Sequence, residues 1–116
     1  MAKAKTELQE KRKFPRRRFV RFIGLLFNGT YYMGLGEEIG EGGIALRLSD
    51  EFPVGREGVV HFQIPDGSFV SVRLEFLNAR QEESGEYLIG CSFKNLKFEH
   101  KREIRTYVSA RTETEH

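Results

Sequence analysis

Apolar and polar residues alternate with period two through most of the chain, which is the spacing of half-buried β-strands. Phe19, Ile23, Leu25 and Phe27 fall on one face of a first extended segment. Asn28-Gly29 follows at once, and Asn-Gly between apolar runs is a strong hairpin signal because both residues tolerate positive φ. Thr30 to Leu35 then reads as the returning strand. Gly34 to Gly43, GLGEEIGEGG, reads as a glycine-rich corner, hydrated by Glu37, Glu38 and Glu41. Strand periodicity resumes with Ile44, Leu46 and Leu48. It continues with Val60, Phe62 and Ile64, with Val70, Val72, Leu74 and Phe76, and with Tyr87, Ile89, Cys91 and Phe93. Pro65-Asp66-Gly67 and Ser84-Gly85 supply the turns between them, proline presetting φ and glycine accepting positive φ. His61 falls on the polar face of its strand and Cys91 on the apolar face.

The period changes near the C-terminus. Ile104, Tyr107 and Val108 stand at i, i+3 and i+4, which predicts an amphipathic helix over residues 96–112 with Asn95 as its N-cap. Short antiparallel strands with tight turns and one closing helix suggest a small β-barrel, since closure removes the sheet edges that a small domain must otherwise protect. The organisation expected is a flexible basic arm over residues 1–15, a barrel over 16–95 and the helix of the same domain.

Composition sharpens this reading. The chain has 116 residues, 39% hydrophobic and 31% charged, as expected of one globular domain. No stretch approaches the length of a membrane span, and no cleavable signal is visible, so membrane insertion is not expected. The single cysteine excludes an internal disulfide and fits a reducing compartment, so a cytoplasmic location is expected. The three histidines have no ligand-like spacing with it, and no metal site or cofactor is expected. The net charge of +2 conceals an asymmetry: residues 1–22 carry nine Lys/Arg against two Glu, and the remainder is acidic. A basic arm on an acidic body is poorly suited to coating long nucleic acid and suits one small anionic ligand captured at one place.

The densest chemistry is Lys11 to Arg21, KRKFPRRRFVR. Pro15 disfavours helix here, so the arginines are expected on a loop running into a strand. Guanidinium groups grip phosphate or the Hoogsteen edge of guanine through paired donors and stack on flat rings. The bland reading is a solubilising basic arm. Gly40, Gly42 and Ala45 could suggest a dinucleotide fingerprint, but that motif must open a helix, and Ile44 to Leu48 alternates as a strand. No nucleophile-base pair or paired carboxylates in an apolar frame are present, so no enzyme is expected.

Two segments together carry a resemblance. Arg17-Arg18-Phe19-Val20-Arg21, followed about one hairpin later by Glu38-Ile39-Gly40-Glu41-Gly42-Gly43, resembles the PilZ domain family of cyclic di-GMP receptors. The family pattern is R-x-x-x-R and then D/N-x-S-x-x-G. Arg17 and Arg21 match the first motif, thickened by Arg16 and Arg18. Gly43 matches the second, while Glu38 stands in place of Asp/Asn and Gly40 in place of Ser. Ile44-Ala45-Leu46, Gly90-Cys91-Ser92-Phe93 and the C-terminal helix look like the family's later elements. The resemblance implies an antiparallel barrel with a C-terminal helix and a non-catalytic receptor that relays ligand binding to a protein partner by a surface change. It implies that Arg16, Arg17, Arg18 and Arg21 contact phosphates and guanine, that Glu38 and Gly40 occupy the guanine-binding corner, and that Gly43 permits close approach. The rival readings are a degenerate adapter that binds protein without nucleotide, and a small-barrel RNA- or single-stranded-DNA-binding module, against which the acidic body counts.

Overall fold

Asn28 and Gly29 take φ of 53° and 81°, the left-handed pair that a two-residue hairpin turn requires. They join strand β2 (Phe22–Phe27) to β3 (Thr30–Gly40). The structure is a computed structural model and describes residues 14–114. The basic arm expected over residues 1–15 therefore lies, up to Lys13, outside the described residues. The other elements are β1 (Arg16–Arg18), β4 (Gly43–Leu48), β5 (Glu57–Gln63), β6 (Phe69–Gln81), β7 (Tyr87–Lys94) and helix α1 (Phe98–Thr114). All strand pairs are antiparallel. The order β3-β2-β5-β6-β7-β4 closes through β4 pairing back on β3, giving a six-stranded barrel with β1 added along β3.

The alternating residues fill this barrel as their period dictates. Ile23, Leu25, Ile44, Leu46, Val60, Phe62, Val70, Leu74, Phe76 and Ile89 are buried together with Cys91. Burial raises the Cys91 thiol to about 12, with the Arg16 cation pulling weakly the other way, so this cysteine is packing and not a nucleophile. Helix α1 lies across β1 and β3 and drives Ile104 and Val108 into the core. Ser68 N and Oγ both donate to Glu103, at 2.6 and 2.7 Å, fixing the helix to the β5–β6 turn. Those donors hold the Glu103 carboxyl below its ordinary range.

Four local expectations are corrected. The glycine-rich corner is not a hydrated loop, because β3 runs through it to Gly40. Gly36 and Gly40 act as sites of close approach: a Cβ on Gly36 would meet Phe19, and one on Gly40 would lie 2.8 Å from the Pro15 carbonyl oxygen. A bulge between Gly36 and Glu38 leaves the Glu37 carbonyl to accept the Phe19 N–H at 3.0 Å. The first extended segment is likewise not continuous. It breaks after Arg18, and Phe19 still reaches the core from the bend. Asn95 is not the helix cap; it takes φ of 58° and turns the chain, so that the helix starts at Phe98. In the β5–β6 turn the left-handed residue is Asp66, φ 59°.

Candidate functional site

β1 brings the two motif segments together. Its register on β3 sets Arg16 opposite Gly40, Arg17 opposite Ile39 and Arg18 opposite Glu38. Directly opposed residues share a face, so Arg16, Arg18 and Glu38 look outward on the side of Gly40, which is itself buried, while Arg17 and the buried Ile39 face the helix side. The Arg16 guanidinium lies 3.9 Å from the Glu38 carboxylate, both half-buried. Upstream, the backbone of Pro15 covers Gly40 and the Phe14 ring packs over Gly42. The leading segment thus crosses the glycine corner, and Arg16 is the arginine it delivers there.

The other predicted arginines are distributed differently. Arg17 is drawn to helix α1: its guanidinium stacks 4.2 Å from the centroid of the Tyr107 ring and donates to the Tyr107 carbonyl at 3.0 Å. The Tyr107 hydroxyl returns a hydrogen bond to the Arg18 carbonyl at 2.7 Å, and its ring packs edge-on against Phe19. Arg18 is exposed beside Glu38. Arg21 is exposed on the bend between β1 and β2; its carbonyl accepts from Gly36 N at 2.7 Å, and it shares a shallow cleft with Phe22, Gln63, Pro65 and Asp66. Gly43 opens β4 directly against β7, and a Cβ there would fall on the Cys91 carbonyl oxygen. Its close approach is therefore to backbone of its own barrel.

The three carboxylates of the corner do not form the solvated group expected from their spacing. Each faces a different arginine. Glu37 accepts from Arg47 at 3.1 Å, Glu38 sits beside Arg16, and Glu41 takes a two-pronged bond from Arg105 of α1 at 2.9 and 3.0 Å. The corner and β1 are both tied to the helix, the first through Arg105 and the second through Arg17 and Tyr107.

One residue escaped the motif reading. The R-x-x-x-R spacing occurs twice, as Arg17 to Arg21 and as Arg12-Lys13-Phe14-Pro15-Arg16. The second instance ends on the arginine that the register sets opposite Gly40. Pro15 was the available signal, since it keeps the residue before it extended. Arg12 lies outside the described residues.

Among the described residues no group of three His, Cys, Asp or Glu is placed to hold a metal ion, and no helix is long and apolar enough to cross a membrane. Comparison with known proteins agrees with the architecture. The inhibitor of motility MotI/DgrA of Bacillus subtilis superposes with a TM-score of 0.79 at 16% identity, over 87% of this chain and 51% of that one. YcgR of Escherichia coli, in complex with c-di-GMP, gives 0.72 at 10% identity over 89% and 46%. The MrkH–c-di-GMP complex of K. pneumonia gives 0.67 at 20% identity over 90% and 53%. The chain thus spans about half the length of these three proteins. At these identities the likeness establishes the fold alone. No curated protein matches the sequence. Residues 10–110 match the PilZ domain family, a span that takes in β1, the glycine corner, the whole barrel and most of the helix, and the chain belongs to that family.

Proposed function

We propose that this chain is a cytoplasmic, non-catalytic receptor for cyclic di-GMP, in which Arg16 and Arg18 face the ligand beside Glu38 and Gly40. Arg12 supplies the second arginine of the R-x-x-x-R spacing. The observation that carries the reading is the β1–β3 register, which places an arginine of the leading segment opposite Gly40 of the corner in a chain of the PilZ family. Paired N–H donors on the arginines suit phosphate oxygens and the O6/N7 edge of guanine, and the Glu38 carboxylate can accept from the guanine N–H groups once Arg16 turns to the phosphate. Structural neighbours solved in complex with c-di-GMP support the ligand class.

The relay follows from the latches on α1. A ligand that draws the leading segment toward its phosphates pulls on the backbone that Tyr107 holds, and the helix carries the change to a partner protein. Arg17 belongs to that latch. Replacing it with alanine is expected to cost about 1–2 kcal/mol of stability, from a partly buried cation–π contact and a charge-assisted hydrogen bond. A urea melt reads this, and an unchanged midpoint would remove Arg17 from the latch.

Isothermal titration with cyclic di-GMP, against cyclic di-AMP and GTP, tests the receptor reading directly; saturable binding of cyclic di-GMP alone is expected. Gly40 refines it. Serine there would add a hydroxyl worth about 0.5–1.5 kcal/mol, at most about tenfold in affinity. The same Cβ would crowd the Pro15 carbonyl, and such crowding costs about 1–3 kcal/mol. Gly40→Ser is therefore expected to melt earlier than wild type while its affinity changes by less than about tenfold. An undisturbed melt would mean that Pro15 yields freely. A protein adapter without nucleotide is the second reading. It is favoured by the Arg16–Glu38 pair, in which the cation already has an anionic neighbour at 3.9 Å, and wild type without any heat of binding would select it.

A further inference from the structure

The outer face of β3, β2, β5 and β6 departs from the alternation of a solvated sheet, in which outward positions are polar. Register aligns Phe22 with Leu35, Gly24 with Met33 and Leu26 with Tyr31 on one side, and Gly24 with His61 and Leu26 with Val59 on the other. His61 and Gln63 then oppose Ser71 and Phe69 on β6. Large side chains stand open to solvent here: Phe22 is 79% exposed, Phe69 66%, Met33 64%, Tyr31 54% and Leu26 41%. Tyr31 lies across Gly24, where a Cβ would strike its hydroxyl. Its ring, His61 and Phe69 form a row across the strands, with centroids 5.6 and 6.4 Å apart. Charged side chains border the face: Glu57, Arg73 and Glu75 at one end, where Arg73 and Glu57 pair at 4.0 Å, and Arg21 and Asp66 beside Phe22 and Gln63 at the other. Single exposed apolar residues are ordinary, whereas a contiguous patch is not.

We propose that this face is the interface of a homodimer, formed by isologous sheet-on-sheet packing of two copies of the chain. Area and symmetry together favour a second copy as the occupant. At roughly 200 Å² for each fully exposed large side chain, the five most open residues present about 600 Å², the upper end of what a monomer leaves uncovered. Two such faces bury about 1,200 Å², which reaches the lower bound of a specific interface. A two-fold contact also sets a patch against itself, which costs most where like charges are dense, and here the charges stand at the margins with both signs present. Two sheets stacked about 10 Å apart interdigitate side chains of this size. The face is built from residues other than Arg16, Arg18, Glu38 and Gly40, so the dimer does not depend on the receptor reading.

Sedimentation equilibrium on the full chain tests it. Wild type is expected to shift toward twice the monomer's 13.4 kDa with a Kd of about 10 µM. Met33→Glu and, separately, Phe22→Glu should each raise that Kd at least about tenfold while melting like the dissociated wild type, since both side chains are exposed. Arg16→Ala and Arg80→Ala should leave it unchanged. Met33→Cys should cross-link to its own copy through a bismaleimide spanning about 10–15 Å, while the buried Cys91 leaves wild type unlinked. A monomer at about 100 µM would overturn the proposal and leave the face to a different protein. A dimer insensitive to both glutamates, or one that does not cross-link through residue 33, would overturn it as well.

Discussion

Arg16→Ala is expected to weaken cyclic di-GMP binding by at least about a hundredfold while the barrel stays folded. Two charge-assisted hydrogen bonds from one guanidinium, at about 1.5–3 kcal/mol each, set the scale. The loss should exceed the deleted bonds, because Glu38 would be left without the cation now 3.9 Å away and would face an anionic ligand. Stability should change by no more than about 1 kcal/mol, since the Arg16–Glu38 pair is partly solvated and the β1 backbone pairing does not need the side chain. Arg73→Ala, a substitution far from the corner, should leave binding intact and so separates contact from general charge. Titration calorimetry with a parallel urea melt reads both effects. Full affinity in Arg16→Ala, with loss in Arg21→Ala, would move the site to the cleft beside Phe22 and Asp66.

The second large effect concerns Gly43, and it is structural. Gly43→Ala is expected to destabilise the protein by about 3 kcal/mol or more, whether or not ligand is present. Its added methyl would land on the Cys91 carbonyl oxygen, and the obstacle is backbone held in the β4–β7 ladder, where Gly43 opposes Ser92. The adjacent bond from Phe93 N to Gly42 O, at 2.9 Å, leaves little freedom to move apart. Overpacking that side chains can absorb costs about 1–3 kcal/mol, and here they cannot absorb it. Chemical denaturation should show the midpoint falling at unchanged slope. A variant as stable as wild type that has lost only ligand affinity would return Gly43 to the ligand-facing role that the motif implies.

Much of the fold was legible in the sequence because period two and turn chemistry are local. Ile23, Leu25, Ile44, Leu46, Val60 and Phe62 are buried as their alternation requires, and Asn28-Gly29 makes the hairpin turn it predicts. Ile104 and Val108 face the core as their helical spacing predicts. The glycine corner was not legible. Glycine reads as a breaker when its neighbours are unknown, and Gly36 and Gly40 take strand positions because Phe19 and Pro15 press on them from segments distant in sequence. The same holds for charge. Spacing placed Glu37, Glu38 and Glu41 in one acidic group, whereas barrel closure and helix docking give each its own arginine, from β4, β1 and α1. Motif spacing alone could not choose between two consecutive R-x-x-x-R runs, because both satisfy it. The sequence by itself determined the helix, the motif segments and the strands other than β1 and the far end of β3. Only the tertiary structure decided which arginine meets the corner, since that depends on the one-residue register of β1 on β3, and a shift by one residue exchanges the faces of Arg16 and Arg17.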